Sequence, residues 1–222
     1  MSIQWIYLLY IAVFILLVLL VPQLVKRYYY QRLMNDLHAG NFKMYVKHLD
    51  SLLAKVNFSA FERESMRLSM YEMQEDMKKA DQQLQFMEHM RLSRKQKARL
   101  GEQGFYIYLA QGKIKKAAHM LDLVREYGTG PQAENLEIQY SILLKKEARY
   151  IDALKERHAK LKDANGAIQK GLEGNAGTYE YLIGLQYSYK KDHPNTKLWL
   201  SQALGHLKGT PYEEQIEAIL AA

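Results

Sequence analysis

Residues 182–204 read LIGLQYSYKKDHPNTKLWLSQAL. Apolar residues three and four apart occupy both ends of this stretch, the spacing that lays one face of a helix against a core. Between them lies KKDHPN at 190–195, a polar run with a proline that ends one helix and begins another. The stretch therefore predicts a helical hairpin. Working outward, Leu49, Leu52, Leu53 and Val56 repeat the helical spacing, as do Leu84, Met87 and Met90, and Met120, Leu121 and Val124. Strand-like alternation is nearly absent. Further breaks fall at AGN (39–41), QED (74–76), QGK (111–113) and KKE (145–147). An all-α domain of short helices joined by short turns is expected.

The breaks are nearly periodic. Aligned on Gly40, Glu75, Gly112, Lys146 and Lys191, they step by 35, 37, 34 and 45 residues. The last step holds a glycine-rich stretch, DANGAIQKGLEGNAG at 163–177, read as an insertion in a flexible loop. Units of about 34 residues have the length of a tetratricopeptide repeat. Gly184 with Tyr187 resembles the first half of that motif, and Thr196, Leu200 and Ala203 resemble the second. Tyr108, Ala117, Leu121 and Pro131 match around Gly112; Tyr71, Ala80 and Leu84 match around Glu75. The unit at Gly40 keeps Leu49 but has Tyr45 at the small position. The unit at Lys146 is the poorest, with Ile151 and Leu154 fitting only the periodicity. Over residues 30–220 the chain thus resembles the tetratricopeptide family. The resemblance implies a right-handed solenoid of helical hairpins whose groove binds peptides or partner proteins. GTPYEEQIEAIL at 209–220 would be its terminal capping helix, with Pro211 in the first turn and Glu213 and Glu214 at the positive end of the dipole.

Residues 1–25 carry no charged side chain, and Ile3–Val25 is almost wholly apolar. At 1.5 Å per residue these residues span roughly 34 Å, enough for a hydrocarbon core of about 30 Å. Trp5 and Tyr7 near one end and Tyr28, Tyr29 and Tyr30 past the other suit the two headgroup levels. Pro22 is a possible kink site. A cleaved signal peptide would have a basic start, a shorter core and a small-residue cleavage site, and these are missing. A retained single-pass anchor is expected. Lys26, Arg27 and Arg32 follow the span and no basic side chain precedes it, so the positive-inside rule puts the N-terminus outside and the C-terminal domain in the cytoplasm. The sequon Asn57-Phe58-Ser59 is the one feature pointing to the opposite, extracytoplasmic topology; its plainer reading is a turn before a helix.

The net charge is +7, with a pI near 9.3. Such a balance suits anionic lipid or nucleic acid, or simply a lysine-rich solvated surface. The basic residues concentrate in RLSRKQKAR, where Arg91, Arg94, Lys95, Lys97 and Arg99 occur without an acid. With Lys26 and Arg27 they are the candidates for lipid headgroups, or for RNA, although no nucleic-acid-binding motif accompanies them. There is no cysteine, which removes disulfides, thiolate metal sites and cysteine nucleophiles. The seven histidines form no HExxH or i, i+4 pair and read as surface or helix-face residues. No P-loop, dinucleotide fingerprint or nucleophile elbow is present. Neither a catalytic site, a metal nor a cofactor is expected.

Tyr106, Tyr108, Tyr179, Tyr181, Tyr187 and Tyr189 fall in helices that the family resemblance assigns to the groove. Tyr108 and Tyr187 take the motif's core position. Tyr106, Tyr181 and Tyr189 lie on other faces and are the candidate anchors for a partner peptide, with Asn135 and Asn175 able to hold its backbone. The expected organisation is an anchor at 1–25, a basic and aromatic juxtamembrane helix at 26–40, and the repeat domain at 41–222. The expected role is a scaffold tethered through residues 3–25 to the cytoplasmic face of a bacterial membrane and recruiting a protein partner.

Overall fold

A computed structural model describes residues 3–221, with the backbone alone for 3–9, 12, 17 and 19. Trp5 and Tyr7, expected at the outer headgroup level, lie outside the described side chains. All regular structure among the described residues is helical, apart from an isolated bridge between Lys162 and Ile168. The helices are α1 (Ile3–His38), α2 (Phe42–Leu49), α3 (Leu52–Asn57), α4 (Ala60–Met73), α5 (Met77–Glu88), α6 (Arg94–Ala110), α7 (Ile114–Tyr127), α8 (Gly130–Gln139), α9 (Ile151–Ala159), α10 (Glu173–Tyr189), α11 (His193–Leu207) and α12 (Glu213–Ala221). A π-helical turn, Tyr140–Leu144, extends α8. The chain divides into two compact units at Leu100/Gly101, inside α6.

The five break positions share one backbone conformation. Gly40, Glu75, Gly112, Lys146 and Lys191 all have left-handed φ, between +55° and +69°. At four of them the next amide reaches back five residues: Asn41 to the Asp36 carbonyl, Asp76 to Tyr71, Lys113 to Tyr108 and Asp192 to Tyr187, each 2.9–3.0 Å. This closure satisfies carbonyls that a helix end otherwise leaves orphaned. The following helix often starts at once on a side-chain cap, from Asp76 to the Lys79 amide and from Asp192 to the Asn195 amide. At Lys146 the closure is one residue wider, Glu147 donating to Ser141, because the π turn inserts a residue. A six-residue connection (145–150) then delays α9, which is why the periodic pattern is weakest there.

In each following helix, the residue five positions past the left-handed one is buried: Tyr45, Ala80, Ala117, Ile151 and Thr196. Nine positions past it, Leu49, Leu84, Leu121 and Leu200 are fully buried; after Lys146 the buried leucine is Leu154, eight positions on. The close approach of α10 and α11 explains two glycines. A Cβ on Gly184 would sit 2.5 Å from Leu200 Cδ2, and one on Gly177 would sit 2.7 Å from Leu207 Cγ. Both lie in α10, which already begins at Glu173 and includes Gly174, so the connection expected to run through 177 ends at Leu172.

In the N-terminal unit, α1 passes from the apolar span into the folded domain without a break. It is long and apolar enough to cross a membrane, and Pro22 sits inside it. Tyr29, Leu33 and Leu37 on α1 join Tyr45, Leu49, Ala54, Phe58 and Met70 in one core. Residues 26–38 are thus the first helix of the domain, which does not begin at 41. The expected apolar face Leu49–Leu52–Leu53–Val56 is also divided. Asp50 ends α2 and the Ser51 hydroxyl caps α3, leaving Leu52, Leu53 and Val56 57–79% exposed.

Candidate functional site

The C-terminal unit carries a cleft of about 190 Å³ built from four helices. Glu102 and Tyr106 come from α6, Gln132, Asn135 and Gln139 from α8, Arg157 from α9, and Thr178 and Tyr179 from α10. Its floor is apolar: Leu136, Ile138, Leu154 and Leu182 line it and are all nearly inaccessible. Thr129 starts α8 by accepting the Gln132 amide, with Pro131 in the first turn, which sets the register of the three α8 amides.

The rim is held by hydrogen bonds between side chains. Gln132 Nε2 donates to Glu102 Oε2 (2.8 Å), and Gln139 Nε2 donates to the Tyr106 hydroxyl (3.2 Å). Arg157 donates to Asn135 Oδ1 (2.7 Å) and pairs with Glu134 (2.6 Å). Among the described lining residues there is one acid, Glu102, and one base, Arg157, so the cleft is close to electrically neutral in a chain of net charge +7. A nucleic-acid groove needs several uncompensated cations along its length. Side-chain amides offer both donors and acceptors, as a peptide backbone does.

Of the candidate tyrosines, Tyr106 lines this cleft and is 44% exposed. Tyr181 and Tyr189 do not reach it. Tyr181 is buried, donates to Gln215 Oε1 (2.9 Å) and packs against the Tyr212 ring at 5.2 Å. Burial first, and then the neighbouring Tyr189 and Tyr212, push its hydroxyl up to about 12. Tyr189 is half-buried and donates to the Ile142 carbonyl (3.0 Å), with burial again raising its pKa. Tyr181 is a core residue, because α10 is buried all round from Glu180 to Tyr187, and Tyr189, just past that stretch, packs half-buried against the same core. Tyr179 occupies the face left over. Asn135 is at the rim, whereas Asn175 does not line the cleft. The sequence reading missed Gln132, Gln139, Arg157 and Tyr179. The usable signal was Gly177 and Gly184, seven residues apart, which mark the α11-facing stripe and so leave Tyr179 and Leu182 on another.

Beside the cleft, the histidine reading needs a correction. His158 is buried, and its Nε2 lies 2.9 Å from Glu180 Oε1, while His206 Nδ1 lies 2.7 Å from Glu180 Oε2. One carboxylate on α10 thus ties α9 to α11, with the Trp199 ring edge-on to His158 at 5.5 Å.

The basic candidates all lie in the N-terminal unit. Lys26 pairs with Glu62 (2.9 Å) and stands 5.3 Å over the Phe58 ring; Arg27 is exposed. Arg91 precedes α6, and Arg94, Lys95, Lys97 and Arg99 lie in its first two turns. Ser93 and Gln96 cap this helix reciprocally, the Ser93 amide donating to Gln96 Oε1 (2.9 Å). The capping resembles a capping box with glutamine, but cations at a helix N-terminus oppose the dipole. The sequon is used structurally. Asn57 donates to the Leu53 carbonyl, Phe58 is buried, and Ser59 forms a capping box with Glu62.

No protein-family model matches the chain, and no curated protein or solved structure matches it either.

Proposed function

We propose that this chain is a membrane-tethered interaction protein whose C-terminal unit receives an extended peptide segment of a protein partner. The observation that carries this reading is the cleft: an apolar floor ringed by Gln132, Asn135, Gln139, Tyr106 and Tyr179, with one acid balanced by one base. Such a lining matches the alternating donors and acceptors of a peptide backbone together with an apolar side chain, and gives no preference to polyanions. The role is binding rather than catalysis.

A tetratricopeptide-like arrangement is the architecture we infer. Its support is the series of left-handed positions at Gly40, Glu75, Gly112, Lys146 and Lys191, the buried residues five and nine positions beyond them, and the glycine contacts between α10 and α11. In such an array one hairpin cannot cover its own apolar face, so neighbours stack. The apolar α1 supports a single membrane crossing, and Lys26, Arg27 and Arg32 immediately after the span support a cytoplasmic C-terminal domain.

The test is photo-crosslinking in cells with the full-length chain. A photoreactive side chain at Gln139 is expected to trap a discrete protein adduct whose yield falls severalfold with Tyr106→Ala or Arg157→Ala. The same group at Leu198, exposed on α11, serves as the comparison. Equal labelling at both positions, insensitive to the cleft substitutions, overturns the reading.

A further inference from the structure

We propose that α3 is a membrane-interface element: Leu52, Leu53 and Val56 enter the headgroup and upper acyl layer of the bilayer that α1 crosses. The proposal rests on the reading of α1 as a membrane span.

The position of α3 follows from the chain path in the N-terminal unit. α1 leaves the apolar span at Val25 and the chain turns at Gly40. α2 then runs back along α1, so that the Tyr29 hydroxyl donates to the His48 carbonyl (3.0 Å) and lies 2.6 Å from the Ser51 hydroxyl. Ser51 caps α3. At the other end of α3, Phe58 lies beneath the Lys26 ammonium and 6.4 Å from the Tyr29 ring. α4 then departs with Glu62 bound to Lys26. Both ends of α3 are therefore fixed to α1 between residues 26 and 29. Tyr29 is four residues past Val25, about 6 Å along the helix axis. A headgroup layer is roughly 5–8 Å thick on each side of the hydrocarbon core. α3 is thus the membrane-proximal tip of the unit, at headgroup depth.

The side chains at that tip suit lipid. Leu52 is 79% exposed, Leu53 57% and Val56 77%, while Ala54 alone faces the core. Three aliphatic residues within five positions make a cluster rather than the scattered apolar exposure normal for a surface. Lys55 sits among them and exposed Arg27 stands at the same depth, as cations that meet anionic headgroups, while Lys26 is held by Glu62. Tyr28 and Tyr30, exposed on α1 beside them, are aromatic residues of the kind that favour this level. Together α1 and α3 hold the unit to the surface at two points, which fixes its tilt and its rotation about the α1 axis.

The chain has no cysteine, so single substitutions can be labelled uniquely. The full-length protein is reconstituted in phosphatidylcholine–phosphatidylglycerol vesicles with bimane at Leu52→Cys or Val56→Cys. Leu16→Cys within the span and Leu198→Cys on α11 are the references. Brominated acyl chains are expected to quench bimane at 52 and 56 severalfold more than at 198, with iodide quenching correspondingly weaker. If 52 and 56 are as open to iodide as 198 while 16 is quenched by bromolipid, α3 lies in water and the proposal is overturned although the span stands. If 52 and 56 resist both quenchers, a second copy or another protein covers α3, which also overturns it. If bromolipid fails to quench position 16, the span reading falls and this proposal with it.

Discussion

Glu180 shows what a single residue does in this fold. Its carboxylate is 2% exposed and accepts from histidines on two other helices. Removing it leaves buried His158 without its partner, and such an orphaned polar group costs about 1–3 kcal/mol. Glu180→Ala is expected to lower the stability of the C-terminal unit by that amount in urea unfolding, and Glu180→Gln, which keeps the shape and one acceptor, by less. Glu62 acts on a smaller scale. Burial raises its carboxyl pKa, but hydrogen bonds from Lys26 and Ser59 outweigh burial and leave it below the usual carboxylate value. Its contact with α1 therefore contributes fully above the unfolded carboxylate range and is lost as pH falls through the depressed value. The pair is about one-third exposed on the carboxylate side, so the effect is less than about 1 kcal/mol. Acid titration of stability is expected to lose this component in Glu62→Gln. Neither contact was legible in the sequence, because Glu180 and His158 are 22 residues apart and Lys26 and Glu62 are 36 apart. Nothing local marks such partners.

Five of the helical segments end just before a residue whose backbone turns left-handed. Gly40 and Gly112 fill two of the five turns with the residue that adopts φ > 0 freely, but Glu75, Lys146 and Lys191 do so with a Cβ. That conformation costs an ordinary residue about 1 kcal/mol or slightly more. Glu75→Gly and Lys191→Gly are each expected to raise thermal stability by up to about 0.5 kcal/mol, the strain relieved less the entropy of the freer unfolded chain. Gly112→Ala is expected to lower it by about 1 kcal/mol, and calorimetry on the three variants reads all of these signs. The positions of these turns could be read from the sequence, because a polar break between two apolar periods is a local signal. The faces of α10 could not be read in the same way. Tyr179, Tyr181 and Tyr189 have the same chemistry, and only packing sends Tyr181 into the core against α12, Tyr189 half-buried against the π turn, and Tyr179 to the cleft.

At the scale of the whole molecule, the join between span and domain matters most. Tyr29, Leu33 and Leu37 are buried in the core of the N-terminal unit, and each such side chain contributes about 1.5–3 kcal/mol on burial. Their sum is comparable to the stability of a marginal domain, about 5–15 kcal/mol. A fragment comprising 26–222 is expected to protect the amides of α2 and α4 from hydrogen exchange, whereas 41–222 is expected to lose that protection while keeping it in α10 and α11. Full protection of α4 in 41–222 would show that the end of α1 is dispensable. The apolar segment and the domain thus share one helix, and the domain's distance from that segment is set by helix geometry rather than by a linker.

By itself, the sequence determined the features that depend on neighbours along the chain: the helical class, an apolar segment long enough to cross a bilayer, and the places where helices stop. Each rests on spacing of three or four residues or on turn chemistry, which a linear string displays. Tertiary structure decided which sides of those helices remain open. Tyr106 stayed at a cleft and Tyr181 did not; Leu52, Leu53 and Val56 have the spacing of a core face, yet the break at Asp50 and Ser51 turns their short helix so that they are exposed. Burial depends on what arrives from tens of residues away, so the candidate site emerged only once α6, α8, α9 and α10 were brought together.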